Sequence, residues 1–169
     1  MRRFLTLLAA GALVVTVFTP GTVAAAPADP APLRGVVDME FPYAGACPAA
    51  PVTVPAPTEC WHGTITGDIT GTIWFWETER NRFPGHTEHF FEVFLITGSD
   101  GSISGYDNGV WNFATFKFRA EGRVTAASGG WTGLVGRKYF ESGRTSDPNA
   151  GMPVMAHGME MFLAKAQGE

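Results

Sequence analysis

From Trp61 onward, apolar and polar residues tend to follow one another with a period of two, broken at short intervals by glycine-rich turns. Gly63-Thr-Ile-Thr-Gly67-Asp-Ile-Thr-Gly71-Thr-Ile reads as strand, tight turn, strand, because β-branched residues alternate with turn formers. Trp74 to Glu79 prolongs the second strand, residues 81–85 turn the chain, and His86 to Thr97 predicts a long third strand. Ser99-Asp100-Gly101-Ser102 is a hairpin signal in which glycine supplies the positive φ. A further strand is expected from Ile103, interrupted at Asp107-Asn108-Gly109 and resumed at Val110. Ala114 to Glu121 alternates most cleanly, with Ala114, Phe116, Phe118 and Ala120 on one face and Thr115, Lys117, Arg119 and Glu121 on the other. Ser128-Gly129-Gly130 predicts a reversal into a strand over Trp131 to Glu141, and Met152 to Leu163 predicts the last strand.

Seven or eight short strands joined by hairpin turns, with no helical periodicity beyond the N-terminus, make an all-β, antiparallel domain. Two features favour a closed barrel over a sandwich. The strand over 86–97 carries aromatics on both faces, and glycines at 63, 67, 71, 105, 109, 133 and 136 fall in or beside strands, where sharply coiled sheets need them.

The first 26 residues have a different pattern. Met1-Arg2-Arg3 is a short basic start, Phe4 to Phe18 is almost wholly apolar, and Val23-Ala24-Ala25-Ala26 supplies small residues after a Thr19-Pro20-Gly21 break. That order predicts a secretory signal peptide over 1–26, cleaved near Ala26. The apolar run is too short for a membrane span of roughly 20 residues, so no stable membrane anchor is expected after cleavage. Export would place the protein outside the cell. Residues 27–58 are rich in alanine and proline and predict an N-terminal arm, with Leu33 to Tyr43 apolar enough to dock as a short strand. Residues 59–169 are left for the barrel.

Charge narrows the partners. The chain has 12 Lys+Arg against 16 Asp+Glu, a net −4 that becomes −6 without Arg2 and Arg3. An acidic chain with no basic cluster is repelled by nucleic acid, which is excluded as a partner. Cys47 and Cys60 are the only cysteines, and in an oxidising compartment they most simply form one disulfide that pins the arm. Closing a loop of that size stabilises by about 3 kcal/mol in the chain-entropy picture. A metal pair would need two further ligands, for which His62 is the one local candidate.

Candidate chemistry is sparse. His86 and His89 flank Glu88, but on a strand the two histidines face opposite sides, so neither metal nor cofactor is expected there. His86, Glu88, Phe90 and Glu92 share a face. Glu77 and Glu79 share a face of the second strand, with Glu92 on its hairpin partner; paired carboxylates can act as acid and base, or simply meet Lys117, Arg119 and Arg137. Arg137, Tyr139 and Glu141 share a face of a late strand and would be polar groups in an apolar cavity if that face points inward. Met152, Met155, Met159 and Met161 read as soft packing residues, and Met with His157 has no specific copper spacing. No nucleophile triad, phosphate loop or paired-cysteine metal motif occurs.

Gly63-x3-Gly67-x3-Gly71, Asp100-Gly101-Ser102-Ile103-x-Gly105 and Gly130-Trp131-x2-Leu134-x-Gly136 resemble the allene oxide cyclase-like β-barrels, which include dirigent proteins. The resemblance covers about residues 60–165 and implies an eight-stranded closed barrel whose interior holds an apolar small molecule. Its motifs are turn and packing residues, so no catalytic residue is carried over. The expected function is binding of a small apolar ligand, with Trp74, Trp76, Phe91, Trp111, Arg137 and Tyr139 as candidate contacts. The alternatives are a cyclase or isomerase acting on a hydrophobic substrate, and an extracellular interaction module.

Overall fold

The computed structural model describes residues 31–54, 58–83 and 86–164. The expected signal peptide over 1–26 and the start of the arm lie outside these residues. Eight strands follow one another: β1 (Leu33–Phe41), β2 (Trp61–Gly67), β3 (Gly71–Phe83), β4 (Thr87–Gly98), β5 (Gly101–Asn112), β6 (Lys117–Ala127), β7 (Lys138–Arg144) and β8 (Val154–Leu163). Each pairs antiparallel with the next, and β8 pairs with β1 to close the barrel. Closure leaves no open sheet edge for another chain to extend.

The period-two pattern sets which side chains fill the interior. On β1, Val37 and Met39 are buried while Val36 and Asp38 are exposed. On β6, Phe118, Ala120 and Val124 point in while Lys117, Arg119 and Glu121 point out. Interior glycines make room for rings. Phe94 packs against Gly105, where an added Cβ would lie 2.7 Å from the ring, and Phe90 packs against Gly109.

Five segments differ from the sequence pattern, one of them β3, which runs on to Phe83 where residues 81–85 predict a turn. The barrel begins at Leu33, inside the segment read as an arm, because closure of the β2 and β8 edges requires β1 between them. β5 runs unbroken through Asp107-Asn108-Gly109, since it is paired along its whole length with β4. Ala114 to Phe116 form a turn instead of strand: the Asn112 side-chain oxygen accepts from the amides of Ala114 and Thr115 and from the Thr115 hydroxyl, and Phe116 has φ +57°. Gly129–Leu134 is a 3-10 helix, which Gly129 enters at φ +62°; its Trp131 and Leu134 are buried against the core.

A second apolar layer lies on the outside of the sheet. Trp76 and Val93 on β3 and β4 are covered by Val54 and Cys60, with Tyr43, Cys47 and Ala50 packed around them. The Cys47–Cys60 disulfide closes this cover, with an S–S distance of 2.08 Å. Residues 43–54 between β1 and β2 are therefore held on the barrel wall by both a covalent link and apolar burial.

Candidate functional site

The inward face of β4 places Phe90, Phe94 and Ile96 in the interior, and the same parity brings Glu88 and Glu92 in with them. Glu92 is the cross-strand partner of Glu77 on β3 and of Asp107 on β5. Asp107 is 1% exposed. Opposite it on β6 is Gly122, where a Cβ would come within 2.7 Å of the Asp107 Cβ. β7 then contributes Tyr139 and Glu141, both buried. Three adjacent strands thus carry acids side by side, and a fourth acid reaches them from β7.

These groups converge. One oxygen each from Glu92, Asp107 and Glu141 lies within 4.8 Å of the others, close enough to share one cation. The Tyr139 hydroxyl donates to Glu141 Oε2, and its ring stacks on Phe94 with centroids 4.4 Å apart. Both Asp107 carboxylate oxygens are buried without a hydrogen-bond partner among the described residues.

The electrostatic result is a raised proton affinity at two of the acids, Asp107 and Glu141. Burial pushes the Asp107 carboxyl well above its usual range, and the Glu141 charge pushes it further. Burial lifts Glu141 to about 7 against the opposing effect of the hydrogen bond from Tyr139. Tyr139 is raised by burial first, then by the charges of Glu141 and Asp107. Gly122→Ala would push Asp107 out of this arrangement, and its added methyl also meets backbone. It should destabilise the fold by about 1–3 kcal/mol in urea unfolding; an unchanged midpoint would show that the space is not needed.

A chamber of about 30 Å³ lies beside the acids, walled by Trp61, Phe90, Trp111 and Phe118 and lined also by Glu77, Glu92 and Glu141. It can hold one or two water-sized groups. Thr145 lines it too, and the Trp111 indole N–H and the Thr145 hydroxyl are buried without hydrogen-bond partners among the described residues. Trp61 and Trp111 also line a mouth of about 420 Å³ at the barrel end, between Phe41, Phe113, Met152 and Val154. On the other side of the acids the barrel is solid: Ile65, Ile69, Ile73, Ile96, Ile103 and Leu163 are fully buried. A wider groove of about 760 Å³ crosses β5 to β8, lined by Lys117, Arg119, Arg144, His157 and Glu160, which are at most partly buried. The chamber is the stronger candidate, because Glu141 lines it and the other strongly perturbed groups, Asp107 and Tyr139, adjoin Glu141.

Of the six contacts expected from sequence, Trp111 and Tyr139 lie in the interior. Trp74 is outside the sheet, its ring 3.8 Å from His62 and near Tyr43; Trp76 lies beneath the disulfide cover; Phe91 is exposed. Arg137 is buried away from the chamber, donating to the Ala31 carbonyl. Glu77 and Glu79 do not share a role, because a bulge between them leaves Glu77 at the chamber and Glu79 exposed. His86 sits in a turn at φ +67° and His89 points outward. Met159 and Met161 are interior packing residues, whereas Met152 is exposed at the mouth. Sequence reasoning passed over Asp107 by reading it as a turn, although Gly105-x-Asp107-x-Gly109-x-Trp111 continues the period of two.

Comparison with protein-family models, curated proteins and solved structures found no match to this chain.

Proposed function

We propose that this is an exported protein that binds a small, mainly apolar ligand at one end of its barrel, in the manner of the allene oxide cyclase-like proteins it resembles. The carrying observation is that mouth and chamber share Trp61 and Trp111 in their walls, so an apolar body in the 420 Å³ mouth lies next to the chamber that Glu92 and Glu141 line. The unpartnered Thr145 hydroxyl supports a ligand whose inner end is polar, since buried polar groups are normally hydrogen-bonded. The disulfide is consistent with an oxidising compartment.

Native mass spectrometry of protein purified from its producing cells tests this reading. A small molecule released on denaturation is expected. Met152→Trp, which narrows the mouth at an exposed position, should lower its occupancy by about tenfold while leaving the fold intact. A wild-type protein that carries nothing and takes up no apolar compound would overturn it.

A second reading, a cyclase or isomerase acting on a hydrophobic substrate, is favoured by Glu141 alone. A carboxylic acid lifted to about 7 beside a cavity can give and take a proton near neutrality. Glu141→Gln would then lose turnover by about 100-fold or more at saturating substrate. Equal turnover by the variant would remove this reading. An interaction module has less support, because Trp76 is covered and the exposed aromatics on β4 and β5 are Phe91 and Tyr106.

A further inference from the structure

We infer that the ligand carries a positive charge at its inner end: the chamber is built for the ammonium head of an apolar amine. This deepens the binding reading above and rests on it. Three observations point the same way. The chamber walls are four aromatic rings, from Trp61, Phe90, Trp111 and Phe118, and aromatic faces attract a desolvated cation. Behind them, oxygens of Glu92, Asp107 and Glu141 converge within 4.8 Å, a set of acceptors that a cation can hold together in ionised form. Asp107 is buried with both carboxyl oxygens unpartnered, and a bound ammonium would donate to them and favour the ionised carboxylate.

Size selects the head and the tail. A chamber of about 30 Å³ takes a head of one or two water-sized groups, which fits a primary ammonium. The mouth, with its aromatic and aliphatic walls, takes the hydrocarbon part. The Thr145 hydroxyl, also without a partner, adds an acceptor on the chamber wall. Above the value of about 7 at which Glu141 ionises, a carboxylate such as a fatty acid meets the same negative charge that holds the amine.

The test compares hexylammonium, 1-hexanol and hexanoate, which share a tail and differ in head charge, by isothermal titration calorimetry at a pH of about 8. Hexylammonium should bind at least about tenfold more tightly than 1-hexanol, and hexanoate should bind weakest. Asp107→Asn and Glu141→Gln should each reduce hexylammonium affinity by about tenfold and leave 1-hexanol within about twofold. Near-UV circular dichroism checks that the variants are folded, and the wild-type series stands without them.

Equal binding of amine and alcohol would overturn the charge assignment while leaving the apolar-ligand reading intact. Binding of none of the three would overturn both. If calcium or manganese binds at the acids and the amine binds no better than the alcohol, the amine assignment falls and the three acids form an inorganic cation site.

Discussion

The protein should be most stable in mildly acid solution and lose about 3 kcal/mol as pH rises from about 4.5 to about 7, the reverse of the trend set by salt-bridged carboxylates. The cause is Glu141. Its carboxyl binds a proton more tightly in the fold, with a pKa of about 7, than in the unfolded chain, where 4.5 applies. Between those values the native state holds more protons than the unfolded one, so stability falls with rising pH and the contribution is gone once pH passes the folded value. Asp107 is raised as well and acts in the same direction. Urea unfolding at pH values from about 4.5 to 8 measures the slope directly. Glu141→Gln should flatten the profile and make the protein more stable than wild type at a pH of about 8, because an amide replaces a carboxylate that is costly to ionise there. A stability that rises across the same window would show that these acids are ionised and compensated in the fold. A saturating cationic ligand should also shrink the loss at high pH, which links this measurement to the amine-binding test.

Trp76→Ala should destabilise the fold by about 3–5 kcal/mol, although Trp76 points away from the barrel interior. Its side chain is fully buried between the sheet and the segment joining β1 to β2, against Val54, Cys60 and its cross-strand neighbour Val93. Trp74 stacks alongside with centroids 6.4 Å apart. Truncation would leave a ring-sized gap beneath a cover closed at Cys47 and Cys60, so the walls cannot collapse freely. The melting temperature should drop by roughly 10 °C for a chain of this size. Trp76→Phe should cost much less, since it keeps most of the ring and removes an indole N–H that is buried without a partner. A near-neutral Trp76→Ala would mean that the cover does not depend on the ring and that the disulfide alone holds it.

The two residues show how far a strand pattern carries. Period two correctly groups Glu88, Phe90 and Glu92 on one face, and Tyr139 with Glu141 on another. It does not say whether a face is inside, because Trp74-Phe75-Trp76 is apolar on both sides. Phe75 enters the interior core and Trp76 the outer layer. The bulge between Glu77 and Glu79 then alters register in a way that residue types do not announce.

What the sequence by itself determined is the architecture: short alternating strands, hairpin glycines such as Gly101, and a cysteine pair separated by proline-rich chain lead to an all-β barrel and one disulfide. These are local properties, decided by each residue's conformational preferences and its immediate neighbours. Tertiary structure alone decided the site. Glu92, Asp107 and Glu141 come from three strands and meet only when the barrel closes, and the Gly105 and Gly109 that flank Asp107 read equally well as a turn until β4 pairs with the whole of β5. The elevated proton affinities of Asp107 and Glu141 arise from burial, and for Asp107 also from the Glu141 charge, which depend on distances across the barrel and leave no mark in the order of residues along the chain.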